Sequence, residues 1–501
     1  MDRRSFLKRA SGSKSASTLA PSYPPLQAPS VSTGLEPYTG PWGERQAAHL
    51  VRRTHFGLTR ADLISALTQT PAQAVDGLVD AAIARPLPDT PSWYNQTDSG
   101  QNTEWVYEWQ ESWYNEMRLG GLRERMTLMW HDHFSTEVNV YYHAAFAYQY
   151  LTFLRENAFG DFRDTLRGIG LVPAMLIYLN GDLNTGSSPN ENYAREVMEL
   201  FSLGILGPDG TPNYTQEDIA EVARALSGWV VDMGNLQSEF VPARHDGGSK
   251  TIFGQTGNYD YNGFIDLLLQ QRSPEIAHHI ATKLYSWFVH PAPNADVVTG
   301  LTTTLQNNNF NVAVALRKLL KSAHFFDDAF ISARIKCPSE TLVGLFREMS
   351  LPNTDTTLSR FRELGFSLGM DILNPPNVAG WPGFSPDQYR AWITTGTVPE
   401  RQGFADAAIF GDGVFDELDP LPLAEDLSDP TSAVAIVHDF AKHFLPTEMS
   451  QEMLDEMTEI LLDGVPVWEW YNIYTQDPEA ARNRLRGLLS FMTNLPEYQL
   501  T

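Results

Sequence analysis

Apolar residues recur at spacings of three and four along most of this chain from Glu44 onward. In AAHLVRRTHFGLTRADLISAL the apolar positions share one face of a helix, Gly57 ends that helix and Thr59 caps the next one. Later segments repeat the pattern, among them NTEWVYEWQESWYNEMRL, LRERMTLMWHDHF and PEIAHHIATKLYSWFV. Because this spacing is that of an α-helix, the pattern predicts an all-α fold: a large multi-helix domain with long irregular loops.

One internal stretch departs from the helical pattern. Residues 232–262 are rich in Gly, Asp and Asn and show no periodicity, so they predict a long loop or a small β-hairpin near residues 235–260. The helix before this stretch, TQEDIAEVARALSGW, begins with Thr215 and Asp218 at the spacing of a capping box.

Composition divides the chain into four parts. Residues 1–40 are rich in Ser, Pro and Ala and predict a disordered lead. Residues 41–400 form the main helical domain, and residues 443–501 predict C-terminal helices that pack on it. Between Arg401 and Lys442 there is no Lys or Arg while acidic residues accumulate, which predicts an acidic linker or insert at 401–442; the alternative is a cation site.

The charge and cysteine content exclude several classes of function. The chain has 61 acidic and 36 basic residues, for a net charge of −25, and such a surface repels the phosphate backbone of nucleic acids. Apolar runs stay short of the roughly 18 residues of a transmembrane segment. A single cysteine, Cys337, excludes an internal disulfide framework and a metal cage of thiolates.

The segment WHDHF contains the first candidate metal ligands, His131 and His133. A His-x-His pair binds one metal if its backbone is extended, because alternate side chains then share a face. On a helix the two rings point about 200° apart and cannot meet on one ion. The alternative is that the two histidines bracket a helix end among aromatic residues.

A second candidate site lies in the segment ENYAREVMELFSLG. On a helix, Glu196 and Glu199 share a face, and Glu191 and Arg195 lie one turn apart beside them. Two carboxylates at this spacing can bind a hard cation or perform acid–base chemistry. The alternative is a buried network in which Arg195 is the counter-ion.

A third candidate is the polar loop ARHDGGSK. Its His245, Asp246 and Lys250 could supply a metal ligand, a base or a contact to an anion. The alternative is a turn with polar residues at the surface.

Several of these motifs together resemble a known family. WHDHF, PNENYAREVMELFSLG, YTQEDIAEVARALSGW, HDGGSKTIFGQTGN, IATKLYSWFV and NPPNVAGWPG, in this order, are similar to the bacterial family filed as domain of unknown function 1800. HLVRRTHFGLT near the start and MTNLPEYQL at the end extend the resemblance over residues 47–499. The resemblance implies a mainly helical fold, frequent export by the twin-arginine route and a genomic association with a sulfatase-like family. It implies no catalytic residues.

The first functional hypothesis is an exported metal-dependent hydrolase that acts on an extracellular polymer or its fragments. His131 or His133, Glu196, Glu199 and His245 would bind the metal, and such mixed ligands suit Zn, Mn or Fe. Glu196 would take part in the chemistry. Asp246 would orient His245, and Arg195 or Lys250 would hold an anionic substrate.

The second hypothesis is a non-catalytic binding or scaffold protein that works with a sulfatase-like partner. In that case Glu191, Arg195 and Glu199 would form a buried salt-bridge network, and the acidic insert would be an interaction surface.

The N-terminus bears on localisation. Residues 2–8, DRRSFLK, match a twin-arginine export motif, which together with the resemblance predicts a periplasmic or extracellular protein. The residues that follow contain no apolar stretch of 7–15 residues, and Lys14 interrupts them. The alternative is therefore a cytoplasmic protein.

Overall fold

The computed structural model describes residues 26–96 and 100–501, and most of them are helical. The prediction of an all-α fold is confirmed. The twin-arginine motif lies outside the described residues. Within the described part of the chain, no helix combines the length and the apolar composition needed to cross a membrane.

The first half of the chain forms helices whose ends follow local capping signals. Thr59 caps one helix by accepting a hydrogen bond from the backbone N–H of Asp62. Thr215 and Asp218 form the predicted capping box. The helices are α1 (Glu44–Thr54), α2 (Arg60–Leu67), α3 (Pro71–Ala84), α4 (Asn102–Gly120), α5 (Leu122–His133), α6 (Val138–Tyr141), α7 (Ala144–Glu156), α8 (Phe162–Ile169), α9 (Pro173–Tyr178), α10 (Glu191–Met198) and α11 (Gln216–Ala225).

Two antiparallel hairpins separate the halves. The first pairs β1 (Trp229–Asp232) with β2 (Gln237–Phe240), and the second pairs β3 (Lys250–Ile252) with β4 (Gln255–Gly257). A small hairpin in this part of an otherwise helical chain is what the loss of helical periodicity predicts, and the structure confirms it.

The second half returns to helices. They are α12 (Tyr261–Gln271), α13 (Ser273–Phe288), α14 (Ala295–Asn307), α15 (Val312–Leu320), α16 (Pro338–Glu348), α17 (Asp355–Ser367), α18 (Thr397–Phe410), α19 (Leu421–Glu425), α20 (Ala433–Phe444), α21 (Gln451–Leu462), α22 (Trp470–Gln476) and α23 (Pro478–Asn494).

One contiguous apolar core extends from Leu50 in α1 to Tyr498 near the C-terminus. The acidic stretch 401–442 takes part in this core through α18, α19 and α20. Its first residue, Arg401, is buried and donates hydrogen bonds to the Thr341 hydroxyl and to the carbonyl of Lys336. The division of the chain into four parts stays a prediction.

Candidate functional site

The two histidines of WHDHF lie in the last turn of α5 and have different neighbours. His131 is fully buried, with its Nδ1 2.8 Å from the Tyr150 hydroxyl and its ring against Trp381. His133 is also buried, and its Nε2 lies 3.1 Å from the carbonyl oxygen of Phe201. The helix therefore separates the two rings, as its geometry predicts.

Hydrogen bonding fixes the proton positions on these rings. A carbonyl oxygen only accepts, so His133 carries its proton on Nε2 and donates it to Phe201. Tyr150 donates its own proton to the carbonyl of Phe134, so Nδ1 of His131 must donate to the Tyr150 oxygen. Burial lowers the pKa of His131 to about 3 and that of His133 well below its usual range, so both rings are neutral at pH 7.

The segment after α10 forms a π-helical turn, Glu199–Leu203, against these histidines. Successive carbonyls of this turn accept from two rings: Leu200 from His279 Nε2 at 2.9 Å, and Phe201 from His133 Nε2. The centres of the two imidazole rings are 5.6 Å apart. Since a π-turn leaves carbonyls without their ordinary helical partners, the two histidines satisfy groups that the turn exposes.

Asp132, between the two histidines, contacts two distant segments of the chain. Its Oδ2 lies 2.8 Å from Nζ of Lys283, and its Oδ1 accepts the backbone N–H of Trp381 at 2.9 Å. A Cβ at Gly380, whose φ is +87°, would lie 2.2 Å from Oδ1 of Asp132. Glycine in the AGWPG segment thus permits both the backbone conformation and the close approach to the carboxylate.

Four separate segments therefore meet at one place: the end of α5, the π-turn, α13 and the loop at Trp381. We call the group formed by Asp132, His133, His279, Lys283 and Trp381 the polar centre. Asp132 and Lys283 are 151 residues apart in sequence, and Asp132 and Trp381 are 249 apart. Removing either charge would leave the other one in a largely buried site, which is costly.

A narrow pocket adjoins the polar centre at Lys283. Arg334, Trp287, Phe384 and Tyr389 line it together with Lys283, and its volume is about 20 Å³. That is room for a water molecule, or for one oxygen atom of a bound group, which is about the same size.

Arg334 brings a second positive charge to this pocket. Its side chain is 5% exposed, donates to the carbonyl of Trp287 and lies over the Trp287 ring. Burial lowers its pKa to about 10, which leaves it cationic at pH 7. In the described part of the chain, no carboxylate forms an ion pair with Arg334. The pocket therefore carries more positive than negative charge.

The carboxylates of α10 lie in a different environment. Glu196 is buried, whereas Glu199 is partly exposed and accepts from the Tyr214 hydroxyl at 2.8 Å. Burial, that hydrogen bond and the charges of Glu199 and Glu196 raise the pKa of Tyr214. Both carboxylates thus act on the same phenol, as their shared helical face predicts.

Arg195 does not form the buried network that the second hypothesis expects with Glu191 and Glu199. It pairs with Glu191 at 3.2 Å, and the two side chains are 36% and 41% exposed. Gln216 of α11 accepts a further hydrogen bond from Arg195 at 3.1 Å. Because water screens such a pair, this part of the expectation is wrong, and a better-shielded ion pair is the one between Asp132 and Lys283, whose side chains are 2% and 24% exposed.

The predicted polar loop packs on the C-terminal end of α11. His245 donates from Nδ1 to the carbonyl of Ser227 at 2.9 Å. Asp246 accepts from Arg224 at 2.7 Å, and this hydrogen bond is the main cause that lowers the pKa of Asp246 to about 2. Lys250 is buried and donates to the carbonyls of Asp246 and Gly248.

The predicted ligands do not all converge. Glu199 contacts Tyr214 just before α11, whereas His245 and Asp246 contact residues at the other end of that helix. This helix is ten residues long, which corresponds to a length of about 15 Å. Across residues 26–96 and 100–501 there is no group of three or more His, Cys, Asp and Glu side chains arranged to hold a metal ion. The predicted metal site stays a prediction.

Sequence reasoning missed Lys283, Arg334 and Trp381. Lys283 carried a usable signal, since it is a lone charge in the apolar helix IATKLYSWFV and lies one turn after His279. Arg334 and Trp381 lie in irregular segments, where no periodicity assigns a face.

The fold and the site together define a large helical protein that holds a charged network in its interior. The chain belongs to the family described as "Protein of unknown function (DUF1800)", whose model matches residues 49–500, nearly the whole chain. Searches of the curated proteins and of the solved structures found no match.

Proposed function

We propose that this protein is a binding protein that recognises an anionic group of its ligand in the pocket between Lys283 and Arg334. The observation that carries the proposal is the charge balance of this pocket. Two cations line it: Lys283 pairs with Asp132, whereas Arg334 has only the nearby charge of Glu340, which is itself paired with Arg125, and no carboxylate at ion-pair distance among the described residues. A carboxylate, sulfate or phosphate group would supply the missing negative charge.

The hydrogen bonds of the polar centre favour binding over hydrolysis. His133 and His279 both donate from Nε2 to carbonyls of the π-turn, so this nitrogen of each ring is used within the protein. Asp132 is held by Lys283 and by the N–H of Trp381. These groups hold segments of the chain together and position Lys283 at the pocket. A sulfatase-like partner stays a prediction within this class of function.

The test is anion-dependent stability. We expect sulfate, phosphate or acetate to raise the melting temperature at an ionic strength held constant with NaCl, since a ligand at ten times its Kd stabilises the folded state by about 1.4 kcal/mol. Arg334→Met retains an apolar chain over Trp287 but removes the charge, so this increment should disappear.

The matched control is Arg360→Met, which removes a surface arginine that is paired with Glu363. It should keep the anion-dependent increment of the wild type. An increment that survives Arg334→Met, or none in the wild type, would contradict the proposal. Because the readout is the difference between buffers, a general loss of stability in the variant does not affect it.

A metal-dependent hydrolase is the second candidate. What favours it is that Glu196 and Glu199 both act on Tyr214, so two carboxylates share one polar neighbourhood. In this proposal His131 or His133 and His245 would complete the ligands of Zn, Mn or Fe, and Arg195, Asp246 and Lys250 would assist.

Elemental analysis of protein purified without chelator tests this second candidate. Stoichiometric metal that is lost in Glu196→Ala but kept in Glu191→Ala would support it. Glu191 is a suitable control because it lies on the same helix and pairs with Arg195 at the surface. A stable wild-type protein without metal would exclude it.

Export is a further part of the proposal, supported by the twin-arginine motif in residues 2–8. Residues 1–40 fused to a reporter should direct the reporter across the inner membrane. Replacing Arg3 and Arg4 by Lys should keep the reporter in the cytoplasm. A reporter that stays in the cytoplasm with the native segment would support the cytoplasmic alternative.

A further inference from the structure

A second, larger pocket lies between the N-terminal helix α1 and the C-terminal helices α20 and α21. Its volume is about 320 Å³, which falls within the range of small-molecule sites. It lies apart from the polar centre, because none of the residues that line it belongs to that group or to the Lys283 pocket.

One wall of this pocket is apolar. Ala48 of α1 and Ala441 of α20 are buried, as are Leu445 and Pro446 in the turn after α20. Met449 and Leu454, both half-buried, complete the wall. A hydrocarbon chain or ring placed against these side chains would be removed from contact with water, and it would lose no hydrogen bond by this transfer.

Another part of the pocket wall carries positive charge. Arg52 is 6% exposed and donates to the carbonyl of His443 at 2.6 Å, and Lys442 is exposed at the rim. Arg45, the third cation, is already paired with Asp328 and Glu448.

Neither Arg52 nor Lys442 has an ion-pair partner in the part of the chain that the structure describes. Glu44, an acidic residue of the lining, pairs instead with Arg60. Burial lowers the pKa of Arg52 and the nearby charge of Glu348 counteracts this, yet no carboxylate of the described residues contacts the guanidinium at ion-pair distance.

Two buried polar atoms of the lining also make no hydrogen bond within the described part of the chain. The Oγ1 atom of Thr447 and the Nε atom of Arg45 are buried, and no hydrogen-bond partner contacts them among the described residues. Buried polar groups in native proteins are nearly always satisfied, so these two atoms beside the pocket are exceptions.

We propose that this pocket binds an amphipathic organic anion, with its carboxylate between Arg52 and Lys442 and its apolar part against Leu445, Met449 and Leu454. Such a ligand matches both walls at once, whereas an inorganic anion would leave the apolar wall hydrated and a neutral apolar compound would leave Arg52 unpaired. This inference is independent of the anion site proposed at Lys283.

The experiment measures binding of three probes to the full chain by calorimetry: octanoate, octanol and acetate. We expect octanoate to bind at least tenfold more tightly than either of the others, because it alone offers both a charge-assisted hydrogen bond and apolar contact. Equal affinity for octanoate and octanol, or for octanoate and acetate, would overturn the proposal. So would the absence of octanoate binding at millimolar concentrations.

Two variants test whether octanoate binds in this pocket. Lys442→Gln should weaken octanoate about tenfold without changing the affinity for octanol, since it removes one charge contact. Met449→Asp puts a carboxylate on the apolar wall and should abolish octanoate binding. Lys442 is exposed and Met449 lies in the irregular segment between α20 and α21, so the fold should persist, which circular dichroism checks.

The matched control is Lys318→Gln, which removes an exposed lysine from α15, a helix that does not line the pocket. It should bind octanoate as the wild type does. Wild-type affinity in both Lys442→Gln and Met449→Asp would show that octanoate binds elsewhere, and the assignment of this pocket would then be wrong.

Discussion

The polar centre and the loop at residues 245–250 use the same kinds of side chain in different surroundings. Each contains an aspartate paired with a cation and a histidine that donates to a backbone carbonyl. Asp132 is 2% exposed and joins segments more than 150 residues apart, whereas Asp246 is 18% exposed and contacts Arg224, 22 residues away.

The difference shows why residue type alone is a weak guide to importance. The polar centre holds the interior of the fold together, so that its loss should affect the whole protein. The 245–250 loop closes over one end of α11, so that its loss should remain local. The following predictions test whether burial separates the two regions as strongly as the structure indicates.

The largest effect is expected from Asp132→Ala. It leaves Lys283 and the N–H of Trp381 without their acceptor, and breaking a buried ion pair of this kind typically costs about 3–5 kcal/mol. Chemical unfolding of the variant and the wild type measures the difference.

The control for that experiment is the double variant Asp132→Ala with Lys283→Met. Removing both charges should restore part of the lost stability, because no uncompensated charge remains. A cost below about 1 kcal/mol for Asp132→Ala would place this pair in the same class as an exposed one.

The next effect concerns pH and His131. Burial lowers the pKa of His131 in the folded protein to about 3, while the unfolded chain has a value of about 6.5. The unfolded state therefore binds a proton first, so the neutral ring's contribution is complete above pH 6.5 and is lost as the pH falls towards 3.

His131→Phe keeps a ring of similar shape and removes this titration. Compared with the wild type in urea unfolding at pH 7, 6, 5 and 4, the variant should show a shallower loss of stability. Above pH 7 the difference between the two proteins should be constant. Parallel curves from pH 7 to pH 4 would contradict the depressed pKa.

A smaller effect is expected in the loop. Asp246→Asn weakens a partly exposed pair with Arg224 and should cost about 1 kcal/mol at pH 7. Because the pKa of Asp246 is lowered to about 2, its contribution is present above about pH 4 and is lost as the pH falls through 2. Hydrogen exchange should show that protection decreases around the loop and stays unchanged in α5. A cost equal to that of Asp132→Ala would remove the distinction between the regions.

The smallest effect is expected from Arg195→Ala. The pair with Glu191 is an exposed i, i+4 contact, which contributes at most about 0.5 kcal/mol and is screened by salt. Alanine's higher helix propensity offsets part of that loss. The melting temperature in low and high salt measures it, and a loss above about 1 kcal/mol would mean that Arg195 has a role beyond this surface pair.

Helix positions in this protein follow from short stretches of sequence, and for that reason they could be predicted. Thr59, Thr215 and Asp218 act within three or four residues of themselves, so their caps form wherever the helix lies. Helix geometry likewise predicted that His131 and His133 point apart. The resemblance to the family followed from several short motifs in order, and the family match confirmed it.

The partners across the fold could not be predicted in this way. The second hypothesis expected a buried network of Arg195, Glu191 and Glu199 because they share a helix face, but a face becomes buried only when another element packs on it. Lys283 and Trp381 reach Asp132 through the packing of α13 and of an irregular loop, and neither contact leaves a periodic signal.

What the sequence by itself determined is the helical class, the ends of the capped helices and the polar residues that are capable of chemistry. The tertiary structure alone decided which of those residues are buried together, since burial depends on contacts between segments hundreds of residues apart. The same charges contribute little in water and much in a dry interior, so the decisive property of Asp132 and Lys283 is their position in the fold.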